Sequence, residues 1–562
     1  MKITSLASLA LAAVTITSCS GLGELSSDNF TVVPSPLEAV AGQVPVTING
    51  RFPEKYMNKK ATVTVTPVLR YAGKEIAGQP ATFQGEKVVG NNQEISYKLG
   101  GNYVMRTSFP YSEEMALSKL YLTFDAKKGK KTYEVPEVMV ATGVVSTSEL
   151  LKSAATETTG ALGADAYQQI IKQSQESQIK YLINQSKVRL SELKSASVQE
   201  FVQILREIKA NQKGLALNGI EISAYASPDG KQDFNEKLAE ARQNTSSEYV
   251  KKQLAEVELN ANVDTKYTAE DWEGFKELVS ASNIQDKEVI LRVLSMYADP
   301  EEREKQIKNI SAAYTELVDE ILPELRRARL IVNYAVIGRT DAEIAQQYAA
   351  DASKLSVEEM LYLAKIQPEN AKAIYTNTAK YYPNDYRAYN NLAIIALNAG
   401  NLDEAKGFLN RAASIAPNAA EVNANLASVA LAEGNTAAAE SYIGRAANAE
   451  NYKELVATLQ AQKGNYAAAA ASAKGVNTNA AALTQILNKD YTSALATLNA
   501  VAKPTATTDY LKAVCGARTN NVDAAVSSLK AAFAKDSSLK AKAAKDLEFV
   551  KIAESAAFKA LF

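Results

Sequence analysis

Alternating hydrophobic and polar positions dominate the first quarter of the chain. The runs PVTI, ATVTVTPVL, ISYKL, KLYLTFDA and YEVPEVMVA are rich in Val, Thr and Tyr, and Gly, Asn, Pro and Lys clusters separate them. Alternation with a period of two predicts half-buried strands, and several short strands at this spacing predict an antiparallel sandwich. We expect a β-sandwich over 28–145 that serves either as a structural spacer or as a binding module.

Hydrophobic residues recur at helical spacing after a predicted helical linker at 146–176. The run SVQEFVQILREIKAN predicts a helix whose buried side holds Val198, Phe201, Val202, Ile204 and Leu205. A second helix, DFNEKLAEARQNTSSEYVKKQL, has an apolar side made of Leu238, Ala241, Tyr249 and Leu254. Strands are predicted before the first helix, in QIKYLINQSKVRLSE, and between the helices, in LNGIEISAYASPDG. This β-α-β-α order predicts an α/β domain over 177–340.

The α/β segment resembles the OmpA-like, peptidoglycan-binding type of domain. The family's fingerprint is a strand that ends in a small Gly loop, followed by Asn, Leu and Arg; these stand here as Gly230, Asn235, Leu238 and Arg242. KYLINQSKVRL resembles the family's first strand and its Asn-Ser turn, with Asn184 and Gln185 at the pair. RRARLIVNYAVI, residues 326–337, is similar to its last strand, and a helical insertion at about 268–325 lies before it.

The OmpA-like resemblance implies that a loop Asp and a helix Arg grip the diamino acid of peptidoglycan. The Arg falls on Arg242, but the Asp position falls on Ser227, which carries no charge to pair with an ammonium group. Asp229, in the same loop, is a candidate replacement. The candidate peptidoglycan contacts are therefore Ser227, Asp229, Asn235 and Arg242. The alternative is a domain kept for protein contacts, in which Arg242 is a solvated or structurally paired residue.

The last third of the chain repeats with a period of 34 residues: Asn391, Leu392 and Ala393 recur as Asn425, Leu426 and Ala427, and Pro383 recurs as Pro417. This period resembles that of tetratricopeptide repeats, whose helix pairs stack into an all-α solenoid that binds peptides or proteins. We expect such a domain over 355–562, with Cys515 packed inside it. The candidate groove contacts are Tyr389, Asn391, Arg411 and Asn425. The alternative is that these residues only cap helices or cover apolar side chains.

The N-terminus has the order of an export signal. Lys2 precedes an apolar stretch from Leu6 to Ile16, which is too short to span a bilayer. The run Ile16-Thr17-Ser18-Cys19 resembles a bacterial lipobox, which implies a signal peptide at 1–18, lipid on Cys19 and a tether at 19–27. By resemblance to sorted lipoproteins, Ser20 implies the outer membrane. An ordinary signal peptide that contains a cysteine is the alternative. No later apolar stretch is long enough to span a membrane, so we expect lipid to be the only membrane attachment.

Composition narrows the function. The 62 Lys and Arg residues nearly balance the 63 Asp and Glu residues, which gives no electrostatic reason to expect a nucleic-acid partner. The absence of His excludes Ser-His-Asp and Cys-His catalysis and His-ligated zinc. SELK at 191–194 matches the S-x-x-K of penicillin-binding enzymes, but neither S-D-N nor K-T-G accompanies it. Carboxylate-only glycoside hydrolysis stays open, and no motif points to a cofactor or a metal.

The predicted architecture is multidomain: an N-terminal β-sandwich, a central α/β OmpA-like domain with a helical insertion, and a C-terminal all-α tetratricopeptide solenoid. We expect a non-enzymatic, lipid-anchored outer-membrane scaffold on the periplasmic face. Its expected partners are other envelope proteins, bound through the repeats, and peptidoglycan is a candidate second partner. The alternative is a surface-exposed lipoprotein that acts as an accessory factor in appendage assembly or secretion.

Overall fold

The computed structural model describes residues 22–157 and 159–562. The chain forms two compact units. The first unit combines the N-terminal part of the chain, up to Ala164, with Ala364–Phe562, and the second is Asp165–Leu363. The sequence predicted the sandwich and the repeat array as separate domains, but both belong to the first unit. The predicted signal peptide and Cys19 lie outside the described residues.

Two β-sheets form the N-terminal part of the first unit. One has the strand order β1-β3-β8, and the other has the order β10-β9-β4-β6-β7, with β11 also paired to β9 and β5 to β4. Strands β2 and β12 form a short parallel pair. The strands are β1 Phe30–Val33, β2 Leu37–Glu38, β3 Gln43–Phe52, β4 Ala61–Tyr71, β5 Lys74–Ala77, β6 Ala81–Gly85, β7 Gln93–Ile95, β8 Gly101–Pro110, β9 Lys119–Lys128, β10 Lys131–Tyr133, β11 Val138–Thr142 and β12 Val144–Val145.

Side chains from both sheets share one hydrophobic core. Phe52 of β3 packs against Phe83 of β6, with ring centroids 5.3 Å apart. Strand β8 was missed in the sequence, although its buried positions alternate through Tyr103 and Phe109. The strand predicted in ISYKL ends at Ile95, because the residues after it turn back toward β8.

The helical linker predicted at 146–176 is wrong over most of its length. The described chain forms one short helix there, α1 Leu150–Ala154, and residues 159–169 have neither helix nor strand. Strand β13 then begins at Ile170. Gly160 adopts a φ of +70°, which an α-helix does not accommodate. We call residues 159–164 the strap.

The second unit is built on a four-stranded sheet with the order β13-β16-β14-β15, in which β14 and β15 are parallel and the other neighbours are antiparallel. Strand β15 was not predicted. Helices α2 and α3 pack on the sheet, and α4 to α8 form the insertion, with a π-helical turn at Leu317–Ile321. The elements are β13 Ile170–Lys180, α2 Ala196–Ala210, β14 Leu215–Tyr225, α3 Gln232–Glu256, β15 Val263–Thr268, α4 Trp272–Ala281, α5 Lys287–Met296, α6 Pro300–Lys308, α7 Ser311–Glu316, α8 Leu322–Leu325, β16 Arg327–Ile337 and α9 Asp341–Asp351.

Helix α3 buries the predicted Leu254, but most of its buried side differs from the one that its hydrophobic residues predicted. Its buried positions include Asn235, Ala239, Arg242 and Ser246, whereas Leu238 is only partly buried. Hydrogen bonds to these polar side chains, described below, offset the loss of water around them.

Paired helices form the C-terminal part of the chain. Within each pair the helices contact each other closely along their small residues; Ala393, Ala405, Ala427 and Ala439 are fully buried. Cys515 is also fully buried, and burial raises the pKa of its thiol to about 12. The helices are α10 Val357–Ile366, α11 Ala371–Tyr381, α12 Tyr386–Asn398, α13 Leu402–Ile415, α14 Ala420–Ala432, α15 Thr436–Ile443, α16 Tyr452–Gln462, α17 Tyr466–Ser472, α18 Asn479–Leu487, α19 Tyr491–Asn499, α20 Ala506–Arg518, α21 Val522–Lys535, α22 Leu539–Ala543 and α23 Ala556–Lys559.

Over 22–157 and 159–562, no helix combines the length and the apolar character that crossing a bilayer requires.

Candidate functional site

The first helices of successive pairs form one continuous surface in the C-terminal array. Helix α12 contacts α14, α14 contacts α16, α16 contacts α18, and α18 contacts α20. We call this surface the first-helix face. In repeat arrays of this architecture, stacked helices create an extended surface for binding. Here the chain's own strap and helix α1 lie on that surface.

Asn391, on α12, holds the strap by its main chain. The Asn391 side-chain oxygen accepts a hydrogen bond from the Gly163 amide at 2.8 Å, and its side-chain nitrogen donates to the Gly163 carbonyl at 3.0 Å. Asn391 is 2% exposed, so both bonds form away from water. One carboxamide therefore satisfies both main-chain polar groups of one strap residue.

Asn425, one repeat later on α14, makes the same pair of bonds to Ala161. Its oxygen accepts from the Ala161 amide at 3.0 Å, and its nitrogen donates to the Ala161 carbonyl at 2.8 Å. Asn390 donates a second bond to that carbonyl at 2.8 Å and accepts from Asn425 at 2.9 Å. Because alternate residues of an extended chain face the same side, repeated asparagines can hold Ala161 and Gly163 together.

Two glycines let the strap lie directly against helix α12. A Cβ added at Gly163 would lie 2.7 Å from the Cβ of Arg387, and one added at Gly160 would lie 2.8 Å from the side chain of Ile394. The Arg387 guanidinium also donates to the Ala164 carbonyl at 3.1 Å. The close approach therefore depends on the missing side chains.

Glu157, just before the strap, is held by polar side chains of the later repeats. Its carboxylate accepts hydrogen bonds from Asn479 at 2.6 Å, from the Thr505 hydroxyl at 2.8 Å and from the Thr507 hydroxyl at 2.5 Å. All three donors are neutral. The carboxylate is thus recognised by hydrogen bonds rather than by an opposite charge.

Helix α1 and the residues before it join the array to the sandwich. Leu151 and Ala154 are 1% exposed and belong to the same core as residues of α16 and α18. The Thr147 hydroxyl donates to the buried carboxylate of Glu548, and the Ser148 hydroxyl donates to the Ala39 carbonyl at 2.7 Å. Burial of apolar side chains and hydrogen bonds just before the helix therefore act together to hold α1 in place.

The other two groove residues predicted from the sequence lie elsewhere. The Arg411 guanidinium, on α13, stands 5.6 Å from the ring centre of Tyr389 and donates to the Pro383 carbonyl at 2.9 Å. The Tyr389 hydroxyl donates to the Ala379 carbonyl at 3.3 Å. Both side chains therefore connect neighbouring helices instead of facing the strap.

The sequence analysis missed the residues that complete the site: Asn390, Glu157, Gly160 and Gly163. The adjacent pair Asn390-Asn391 inside an apolar helix is a detectable signal, because buried polar groups need partners. The glycines and Glu157 gave no such signal. They lie in a segment whose contacts on the array are more than 220 residues away in sequence, such as Gly163 with Asn391 at a separation of 228.

The second unit brings together three of the four predicted peptidoglycan contacts through the loop between β14 and α3. Asn235 donates to the carbonyls of Ser227 and Gly230 at 3.1 Å and 3.2 Å, which closes the loop. The Ser227 hydroxyl donates to Asp229. The other oxygen of Asp229 is ion-paired with Arg326 at 3.3 Å. Asp229 is therefore engaged within the protein.

Arg242 is buried, with 1% exposure, and donates to three main-chain carbonyls. These belong to Tyr225 at 2.8 Å, Gln185 at 3.0 Å and Leu182 at 3.2 Å. Burial lowers its pKa to about 10, although the Tyr181 ring lies 5.2 Å from the guanidinium. The arrangement matches a structurally paired arginine and leaves little of the guanidinium for a ligand.

The insertion packs against the same loop. Pro228 and Asp229 share a small cavity with Trp272, Phe275 and Tyr314, and its volume is about 10 Å³. That space holds at most about one water molecule. In this conformation, a diamino acid has no room to reach Asp229 by this route.

An open cleft elsewhere in the second unit carries charges that neutralise each other. It has a volume of about 720 Å³. Lys213 pairs with Glu343 at 3.0 Å, and Arg339 pairs with Glu359 at 2.8 Å. Within 22–157 and 159–562, no group of three or more Asp, Glu or Cys side chains is placed to hold a metal ion.

Comparison with known proteins identifies the repeat type. The family model of the tetratricopeptide repeat matches residues 362–423. Among curated proteins, no sequence matches the chain. The helices within 362–423 are therefore of the tetratricopeptide type, a repeat found in protein-interaction scaffolds.

Solved structures similar to this chain include a tetratricopeptide repeat protein from Parabacteroides merdae, with 14% identity, a TM-score of 0.29, and coverage of 44% of this chain and 97% of that one. PilW, a type IV pilus biogenesis factor, has 15% identity, a TM-score of 0.22, and coverage of 38% and 88%. Yeast Tom70 has 12% identity, a TM-score of 0.25, and coverage of 66% and 86%. At these TM-scores the similarities support no functional argument.

Proposed function

We propose that this tetratricopeptide-repeat protein is a non-catalytic scaffold of the bacterial cell envelope, held by lipid on Cys19 at the periplasmic face of the outer membrane. The tetratricopeptide array carries the proposal, because arrays of this type bind other proteins. Its partners would be other envelope proteins. The lipid anchor and the location rest on the lipobox-like run that ends at Cys19.

A scaffold must hold its binding surfaces in a fixed relation, and the first unit meets this requirement. Arg518, on α20, pairs with the buried Glu548 and also lies 3.5 Å from Glu38 at the sandwich. Glu548 in turn accepts from Thr147. Since a charge network at the joint is combined with the shared core around α1, the sandwich and the array should unfold together.

We assign the second unit to the OmpA-like type because its sheet alternates with α2 and α3 and ends at β16, where the resemblance required the last strand. The first strand differs from the resemblance, which placed it in KYLINQSKVRL, because β13 already ends at Lys180. Its peptidoglycan contact should be weak. The loop lacks the charged residue at Ser227, Asp229 is paired with Arg326, and Arg242 is buried. In this proposal the unit serves mainly for protein contacts.

Wall contact is tested by pull-down with purified sacculi. The wild-type protein should bind weakly or not at all, and Ser227→Asp should strengthen binding by adding the missing carboxylate. Arg326→Gln is the matched variant, since it frees Asp229 without adding a charge to the loop. Tight wild-type binding would contradict this assignment. Release of soluble fragments from the sacculi would contradict the non-catalytic role.

The anchor is tested by membrane fractionation of Cys19→Ala. The variant should leave the membrane fraction after a carbonate wash, and Cys515→Ala should stay with it, because Cys515 is buried in the array. Retention of Cys19→Ala would overturn the lipid anchor. Protease treatment of intact cells separates the periplasmic face from the surface-exposed accessory factor, which alone would be digested.

The scaffold role is tested by crosslinking in cells, followed by mass spectrometry of the captured proteins. We expect the full chain to capture the same envelope proteins in repeated experiments, with the crosslinked positions of this chain within residues 364–562. Crosslinks confined to other residues would place the interaction outside the repeats.

A further inference from the structure

We infer that Glu157 and the strap form an internal ligand that closes the first-helix face. The external ligand of this face is then an extended segment with the same chemistry: an acidic residue, two further residues, and Gly-Ala-x-Gly. This inference rests on the proposed scaffold function and adds to it both the type of segment bound and a means of control. A partner segment can bind only when Glu157 and the strap leave the face.

The face recognises main-chain atoms. Asn391 and Asn425 each make two hydrogen bonds to the amide and the carbonyl of a single residue, and no strap side chain takes part. A segment from another protein could form the same bonds if its backbone has the same extended course. These bonds therefore do not select a side chain, and the selectivity of the face comes from its shape and from the contacts of Glu157.

The shape restricts which segments fit. Positions 160 and 163 accept only glycine, because a Cβ would meet Ile394 or Arg387 at less than 3.0 Å. Position 161 is buried and small, and position 162 is open, since Leu162 is 53% exposed. The pattern Gly-Ala-x-Gly follows from these four environments.

Glu157 adds an acidic requirement. Its carboxylate accepts three hydrogen bonds from Asn479, Thr505 and Thr507. A segment without this carboxylate would leave those three donors without their acceptor. It would bind more weakly, because the charge-assisted hydrogen bonds are lost. Because the acidic position precedes the glycine positions, the face should bind a segment in only one chain direction.

The strap contributes one side chain, that of Ala161, to a hydrophobic core. Its other buried residues are Gly160 and Gly163, so its departure removes little apolar area from that core. Leu151 of α1, in contrast, is 1% exposed within the core of the array. Helix α1 should therefore stay in place while the strap detaches. A short connection gives the strap an effective concentration of order millimolar, so it excludes weaker competitors.

The experiment uses a labelled peptide with the sequence of residues 155–164, ATETTGALGA, and measures its fluorescence anisotropy with the full chain. The wild-type protein should bind it weakly. Gly163→Val should release the strap and increase the affinity for the peptide at least about tenfold, since the internal competitor is lost. Adding Asn391→Ala and Asn425→Ala should abolish that gain. Leu162→Ala is the matched control and should behave as wild type.

A second measurement avoids the risk that Gly163→Val misfolds. In a Cys19→Ala chain, Leu162→Cys places a fluorophore at an exposed strap position, and the buried Cys515 thiol, with a pKa of about 12, stays unlabelled. Several millimolar of peptide should displace the strap and increase the mobility of the label. A peptide with valine in place of the second glycine should have no effect.

Two results would overturn the inference. One is a Gly163→Val protein that keeps the helical circular-dichroism signal of the wild type but binds the peptide no better than the wild type does. The other is a label whose mobility does not change at saturating peptide concentration. If crosslinking captures partners but the strap never exchanges, the scaffold proposal stands and this inference fails. If the strap exchanges but no partner is captured through the repeats, this inference stands and the scaffold proposal fails.

Discussion

Gly163→Ala adds one methyl group at the closest contact between the strap and the array. The new Cβ would lie 2.7 Å from both the Cβ and the Cγ of Arg387 and 2.9 Å from its Cα. Arg387 cannot easily turn away, because Asp385 holds its guanidinium at 2.7 Å. Carbon atoms attract at roughly 3.5 Å, so the strap or the helix must shift by about 0.8 Å.

A shift of that size stretches both hydrogen bonds between Gly163 and Asn391, which start at 2.8 Å and 3.0 Å, beyond normal hydrogen-bond length. Each such bond contributes about 0.5–1.5 kcal/mol, and overpacking typically costs about 1–3 kcal/mol. The smaller entropy of the unfolded alanine chain offsets about 0.4–1 kcal/mol. Taking the two bonds, the overpacking and the entropy together, we expect Gly163→Ala to lower the free energy of unfolding of the first unit by about 1–5 kcal/mol.

The matched control is Gly407→Ala in the middle of α13, where an added Cβ meets nothing within 4 Å. The same substitution should stabilise the unit there by about 0.5–1 kcal/mol, because alanine favours helix. Urea unfolding followed by circular dichroism at 222 nm compares the two variants. Equal effects, or a Gly163→Ala chain as stable as wild type, would refute the close packing of the strap.

Three further predictions concern buried groups. Ala427→Trp should lower the free energy of unfolding by about 1–3 kcal/mol or more, because Ala427 is fully buried between helices. Ser441→Trp, at an exposed site, should change it by about 0.5 kcal/mol or less. Equal Tm values for the two variants would contradict the packing. Arg242→Met should destabilise the second unit by about 3 kcal/mol or more, because three carbonyls lose their donor; an unchanged unfolding transition of Trp272 fluorescence would contradict this. Burial raises the pKa of Glu270, whose carboxylate accepts a hydrogen bond from the Trp272 indole at 2.9 Å. The protonated carboxyl therefore contributes stability that is present below the unfolded pKa and is lost as the pH rises through the folded pKa. Trp272 fluorescence should titrate above the usual pH range of Glu, and this titration should be absent in Glu270→Gln.

Hydrophobic periodicity predicted most of the elements, and it failed where the buried side is polar. It located α2 and β14 because their buried residues are apolar. It identified Leu254 on α3 but missed most of the buried side of that helix, which carries Asn235, Arg242 and Ser246. The burial of these polar residues depends on partners from other elements. Those partners are mainly main-chain groups of other elements, and no sequence pattern identifies them.

The candidate site was only half predictable. Asn391 and Asn425 could be found because they repeat with the helices. Their contacts, Gly163 and Ala161, could not be found, because no local rule connects a short Gly-Ala segment with helices more than 220 residues later, such as Asn391 at a separation of 228 from Gly163. The segment lies in the predicted helical linker, and its alanines favour helix. Tertiary hydrogen bonds override that preference.

Hydrogen exchange at the amides of Ala161 and Gly163 measures most directly whether the strap occupies the first-helix face. Both amides donate to buried asparagine side chains. In the full chain they should exchange far more slowly than in a free peptide with the same sequence, and Asn391→Ala with Asn425→Ala should abolish this protection while the amides in the middle of α14 stay protected. Exchange of Ala161 and Gly163 in the wild-type chain at the rate of the free peptide would contradict an internal ligand on this face.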